Sequence, residues 1–170
     1  GHSTKIQGGS SADILFNEAA LKGITGIDYA YALSFMRKNN EVESEDPYSH
    51  GRYLADYRDL GFVSTNAINC VSRHLEYSYQ DWCIGSLAEQ IGQHDVGKRY
   101  FESARKLWSL WRPDLLHFAP KTPDGDWAEP FDINYARPDS WNDPYFYEGV
   151  SRAWSFNTQH DFAELVERCG

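Results

Sequence analysis

Apolar side chains recur every three or four residues along much of this chain, and turn residues interrupt the rhythm. That period marks helices with one buried stripe. The first run is SSADILFNEAALKG, with Ser10 or Ser11 placed to cap its start and Gly23 to end it. Ile14, Leu15, Glu18 and Ala19 give it a mixed face. A short link, ITGI, leads to DYAYALSFMRKN, where Asp28 caps and Tyr29, Leu33 and Met36 repeat at helical spacing. Two helices joined so closely predict an antiparallel hairpin. The clearest run is AINCVSRHLEYSYQDWCIGSLAEQIG, with Val71, Leu75, Trp82, Leu87 and Ile91 on one rhythm and Gly92 as terminator. Asp95 is expected to cap DVGKRYFESARKLWSLW, whose stripe is Val96, Tyr100, Ala104, Leu107 and Trp111 and which Pro113 stops. This makes a second, longer hairpin. A last helix is expected from about Ser151 to Glu167, with Ala153, Phe156, Ala163 and Val166 inward.

Two stretches lack the rhythm. Residues 39–62 are acidic, then irregular, with room for a short helix in RYLADYRDL; the acid-rich Glu41–Asp46 lacks the pattern of a calcium loop. Residues 113–147 are rich in Pro, Asp, Gly and rings, and TPDGD is a turn by composition. A loop this long inside a compact domain is functional or disordered, and its rings argue against disorder. Strands are expected only as short pieces within 115–135. The prediction is one all-α domain over 1–170, built of antiparallel helical hairpins with long loops between them.

Charge and composition narrow the function. Sixteen basic against 25 acidic residues leave a net charge of −9, which argues against nucleic acid and anionic membranes as partners. No apolar run reaches the length of a membrane span, and GHSTKIQGGS contains no apolar signal core. The three cysteines show no metal-binding spacing, and Cys70 and Cys83, on one helix, stand about 20 Å apart, too far to bridge. Six Trp, eleven Tyr and nine Phe beside many carboxylates suit sugar binding as well as they suit a ring-rich core.

The candidate chemistry gathers in PYFYEGVSRAWSFNTQHDF. Glu148 follows Tyr145, Phe146 and Tyr147, with Trp154 beyond it. A carboxyl walled by rings loses solvation and keeps its proton to higher pH, as a general acid for glycosidic cleavage requires. The alternative is an ordinary glutamate at a helix N-terminus. His160 and Asp161, about three helical turns on, suit either a substrate-orienting pair or a polar point on a helix. WAEPFD, Trp127 to Asp132, suits either a sugar-stacking loop or a loop anchored by its own rings. In LEYSYQDW, Leu75, Tyr79 and Trp82 read as core; Glu76 and Asp81 read as buried anchors or solvated surface.

Taken together, four blocks resemble glycoside hydrolase family 92, the exo-acting α-mannosidases, in the family's order and over nearly the whole chain. They are GGSSADILFNEAALKGI with DYAYALSFM, DLGFVSTN with CVSRHLEYSYQDWCI, DGDWAEPFD, and FYEGVSRAWSFNTQHDF. The resemblance implies part of an (α/α)6 toroid from a calcium-dependent, inverting enzyme that removes terminal α-linked mannose from glycans. It makes Glu148 the general acid. Asp13, Trp127, Phe131, Trp154, His160 and Asp161 then line or support the sugar pocket. Such enzymes are commonly secreted or periplasmic.

The chain departs from the family pattern at Arg152 and Gln159, where Trp and Pro are usual, and at Asn69, where an acid is common. The family's general-base aspartates and most calcium ligands are expected in a later GNDD-like block, after Gly170. The chain therefore reads as a fragment with far fewer helices than a six-hairpin toroid requires, inactive alone and self-associating to cover exposed helix faces. Arg152 and Asn69 favour the competing reading, a non-catalytic helical carbohydrate-binding or scaffold module.

Overall fold

A computed structural model describes residues 10–47, 51–134 and 142–170. The first nine residues and parts of both long loops, 48–50 and 135–141, lie outside the described residues. The fold is all-α; among the described residues the strands are limited to one two-residue antiparallel ribbon and an isolated Lys121–Trp127 bridge. It divides into two compact units: Gly1–Leu54 with Tyr77–Lys106, and Ala55–Glu76 with Leu107–Gly170.

The first unit holds α1 (Ser11–Leu21) and α2 (Tyr29–Glu41). Ser10 is the N-cap residue of α1, and Asp28 caps α2 by accepting the Tyr31 N–H at 2.9 Å. Gly23 closes α1 in the left-handed region, φ +66°, which a residue without Cβ enters freely, and the Ile24 N–H then reaches back to the Ala19 carbonyl. After the short α3 (Leu54–Asp59), the long α4 (Cys70–Gln90) supplies its Tyr77–Gln90 portion to this unit, and α5 (His94–Ala104) completes it. Leu33, Met36, Cys83, Ile84, Leu87, Ala88 and Tyr100 form the core, with Ile14, Tyr29, Trp82, Ile91 and Val96 packed against it.

The second unit begins with most of α3 and the Cys70–Glu76 start of α4. It contains β1 (Trp111–Arg112) paired with β2 (His117–Phe118), then α6 (Ser151–Trp154) and α7 (Phe162–Cys169). Trp108, Trp111 and Phe118 pack ring on ring, with centroids 5.2–5.8 Å apart.

Three boundaries differ from the sequence expectation. The helix expected to run to Trp111 stops at Ala104 and tightens into a 3-10 turn over Arg105–Leu110. The carbonyls of Ala104, Leu107 and Leu110 bond Ser78 Oγ, His74 Nε2 and the Ala119 N–H, long-range partners that compete with a continued α-helical ladder. Asp95 lies in the first turn of α5, with Gln93 at the N-cap. The single helix expected over 151–167 is two, separated by Ser155–Thr158 and a 3-10 turn at Gln159–Asp161. Ser155 Oγ accepts the Phe118 N–H and Asn157 Nδ2 donates to Glu76, drawing these polar residues out of a continuous helix. The break resets the phase: Ala153, Phe156, Ala163 and Val166 are exposed, and Leu165 is the residue buried in α7.

Cys70 and Cys83 are free and buried, and burial pushes both thiols up to about 12; Cys169 is exposed. A thiol reagent on the native chain should therefore modify one cysteine quickly and the other two only after denaturation. Fast reaction at all three would contradict the packing around α4.

Candidate functional site

The turn that carries Glu148 is built onto the start of α4. A helix leaves its first N–H groups without partners. Here the backbone of Asp143–Tyr145 supplies them. The Asn69 N–H and Asn69 Nδ2 donate to the Asp143 carbonyl at 2.9 and 2.7 Å, Cys70 N–H to the Pro144 carbonyl, and Val71 and Ser72 N–H to the Tyr145 carbonyl. Asn69 does so from a left-handed backbone, φ +52°, which asparagine tolerates better than most residues. The departure from the family pattern at this position thus has a structural use. Asp143 is buried, and its Oδ1 accepts the Tyr145 and Phe146 N–H groups at 2.7 and 2.8 Å, tightening the turn.

Glu148 follows with φ +48°, an uncommon conformation for a side chain of its size. The Tyr147 N–H donates to Ser72 Oγ at 2.9 Å, and the Tyr147 carbonyl accepts Trp154 Nε1–H, also at 2.9 Å. The expected wall of rings around the carboxyl is not what forms. Phe146 and Tyr147 turn inward and are 2% and 8% exposed, while Glu148 lies exposed at the surface.

The other candidates fall in different settings. Phe131 is half-buried and packs against Tyr145 and Phe146, at 6.0 and 6.2 Å between ring centroids, beside the acid-bearing turn. Trp154 spends its indole N–H on backbone, not on ligand. Trp127 has Lys121 Nζ 4.6 Å and the Arg112 guanidinium 5.6 Å from its ring centre. The WAEPFD loop is anchored: Arg112 pairs with Glu129, Glu129 Oε2 accepts the Phe131 N–H, and the Ala128 N–H donates to the Pro120 carbonyl. The TPDGD turn ahead of it forms as expected, with a Thr122 N–H to Asp126 carbonyl bond. Asp161 accepts Trp108 Nε1–H at 2.7 Å, with Arg168 stacked over the Trp108 ring, while His160 is half-buried on the same 3-10 turn.

Asp13 belongs to the first unit and is 1% exposed. Its carboxylate accepts Ser10 Oγ–H at 3.1 Å and Arg52 Nη2–H at 3.3 Å. Arg52 also donates through Nη1 to Asp81 at 2.7 Å, and Asp81 further accepts Ser103 Oγ–H and Asn40 Nδ2–H. Burial pushes the Asp13 carboxyl up to about 7, against the opposing pull of Arg52. In this setting Asp13 supports the unit from inside, and Asp81 is a buried anchor. Arg52, Ser72 and Asp143 escaped the sequence reading. Arg and Asp beside Pro or Gly look like loop surface, and only their partners reveal their use.

The helical scaffold thus sets a carboxylate on a strained turn beside packed rings. The comparisons identify the scaffold: the pattern of the glycosyl hydrolase family 92 catalytic domain matches residues 1–170, and the chain belongs to that family. An inverting mannosidase of the family from Bacteroides thetaiotaomicron VPI-5482 superposes with a TM-score of 0.86 at 30% identity, over 99% of this chain and 22% of that one. A family 92 α-mannosidase from the same species, in complex with mannoimidazole, gives 0.83 at 26% identity, over 95% of this chain and 21% of that one. An uncharacterized secreted glycosidase of Arthroderma benhamiae is 29% identical over 123 residues, 66% of this chain and 16% of the relative. The chain thus spans about a fifth of the length of these relatives.

Proposed function

We propose that this chain carries the proton donor of an exo-acting, inverting α-mannosidase, and that Glu148 is the donor. The observation that carries the reading is the family match across all 170 residues, including the Tyr147-Glu148-Gly149 block. The strained backbone at Glu148 supports it, because such conformations persist where the surroundings enforce them and cluster at functional sites. In the proposed step the Glu148 carboxyl gives its proton to the glycosidic oxygen as the bond from that oxygen to the anomeric carbon breaks. The bonding pair stays on oxygen, the remaining glycan leaves as an alcohol, and water adds to the opposite face of the sugar. Inversion needs a second carboxylate, roughly 6.5–9.5 Å away, to take the water's proton. The proposal assigns only the donor to this chain.

The helical hairpins are read as part of an (α/α)6 toroid, mannose-containing glycans as the substrate, and secretion as the destination. Among the described residues, no helix is long and apolar enough to cross a membrane. Calcium enters through the family resemblance alone. Among the described residues no group of three or more His, Cys, Asp or Glu that could hold a metal ion is found, and no step is routed through one.

The full-length gene product should hydrolyse aryl α-mannosides in preference to α-glucosides and β-mannosides, and proton NMR should show β-mannose as the first-formed anomer. Preference for glucosides, or α-mannose appearing first, refutes the reading.

A further inference from the structure

Glu148 is exposed, so little around its carboxylate fixes where the proton is offered. The backbone leading into it, in contrast, is held by two hydrogen bonds at Tyr147. We infer that Ser72 and Trp154 are positioning residues for the acid, acting through the two peptide groups that precede it. This rests on Glu148 being the proton donor.

The geometry is specific. The Tyr147 N–H belongs to the Phe146–Tyr147 peptide and is fixed by Ser72 Oγ at 2.9 Å. The Tyr147 carbonyl belongs to the next peptide, which ends at the Glu148 nitrogen, and is fixed by the Trp154 indole N–H at 2.9 Å. Once that second plane is held, the φ of Glu148, +48°, sets the direction in which its Cα–Cβ bond leaves the chain. Gly149 shows how closely the indole sits on the turn: a Cβ there would lie 2.9 Å from Trp154 Nε1 and 3.0 Å from Cδ1.

Both residues stand on supported elements. Ser72 lies on α4, is 2% exposed, and follows the capped start of that helix. Trp154 ends α6, whose Ser151 is fully buried and donates to the Phe118 carbonyl at 2.6 Å, while the Arg152 N–H reaches the Ile133 carbonyl. The left-handed turn is thus held between two helices, and neither Ser72 nor Trp154 needs to touch substrate. The chemistry assigns their effect to proton delivery alone. An acid displaced by about 1 Å loses on the order of 10²-fold in rate, and only where the leaving group needs the proton.

The test compares two α-mannosides on the full-length gene product: a methyl mannoside, which leaves only when protonated, and a 2,4-dinitrophenyl mannoside, which leaves as a stable anion. Ser72→Ala and Trp154→Phe should each lower kcat on the methyl mannoside roughly 10- to 100-fold with KM unchanged, and leave the dinitrophenyl substrate almost unaffected. Equal losses on both substrates, as general misfolding produces, or no loss on either, overturn the positioning role. Glu148→Gln run alongside separates the two ideas: if it lacks this leaving-group selectivity, the acid assignment fails by itself. Amide hydrogen exchange on the 170-residue chain then decides the positioning geometry independently of turnover. Ser72→Ala should raise exchange at Tyr147 at least tenfold, with Leu87 and Ala88 in the core unchanged. Unaltered exchange at the turn overturns the inference.

Discussion

Glu148→Gln in the full-length gene product lowers turnover of unactivated α-mannosides by about 10²–10⁴-fold, the range a positioned general acid contributes. Glutamine keeps the shape and the backbone preference of glutamate but has no proton to give. Because the side chain is exposed, the variant should unfold at the same denaturant concentration as the parent. Steady-state rates on a disaccharide or methyl mannoside provide the measurement. A residual rate within a factor of a few of the parent removes Glu148 from the mechanism and leaves the non-catalytic module as the better account of the chain.

The second large effect concerns folding. Arg52 is 1% exposed and is the cation between Asp13 and Asp81, with its guanidinium 5.2 Å from the Tyr77 ring centre. Arg52→Met leaves the buried side chains of Asp13 and Asp81 without their shared donor. Removing one member of a buried ionic group costs about 3–5 kcal/mol, a large share of the stability of a small domain. Urea titration should show a correspondingly lower midpoint; an unchanged midpoint would falsify the buried network. The same cluster fixes a pH trend. Asp13 is pushed from 3.8 to about 7 in the folded chain, so between those values the unfolded chain releases a proton that the folded chain keeps. The Asp13 contribution is therefore complete below about 4 and disappears as pH rises through about 7. Asp13→Asn has no such proton, so its stability relative to the parent should improve steadily over that window. A constant difference would show that Asp13 is not held protonated by burial.

Placement also bears on the departures from the family pattern. Asn69 looked like lost chemistry in the sequence, yet its left-handed backbone and paired bonds to the Asp143 carbonyl make it part of the support under the acid-bearing turn. Arg152 is exposed, on the short helix that ends in Trp154.

Hydrophobic period, caps and terminators in the sequence alone determined α1, α2 and α4, and the resemblance of four ordered blocks pointed to the family. These signals are local: a stripe at 3.6 residues, Asp28 accepting an N–H within one turn, Gly23 entering a region that costs a residue without Cβ little. What only the tertiary structure decided was everything set by long-range hydrogen bonds. The carbonyls of Ala104, Leu107 and Leu110 bond residues distant in sequence, partners that compete with the helix expected through Trp111. The expected helix over 151–167 breaks where Ser155 and Asn157 bond to Phe118 and Glu76, which turns Phe156 and Val166 outward. The rings before Glu148 bury themselves instead of the carboxylate, because a turn with φ +48° sends neighbouring side chains in different directions. Period reports which residues prefer a shared face; it contains no term for a partner seventy residues away, and those partners place the acid.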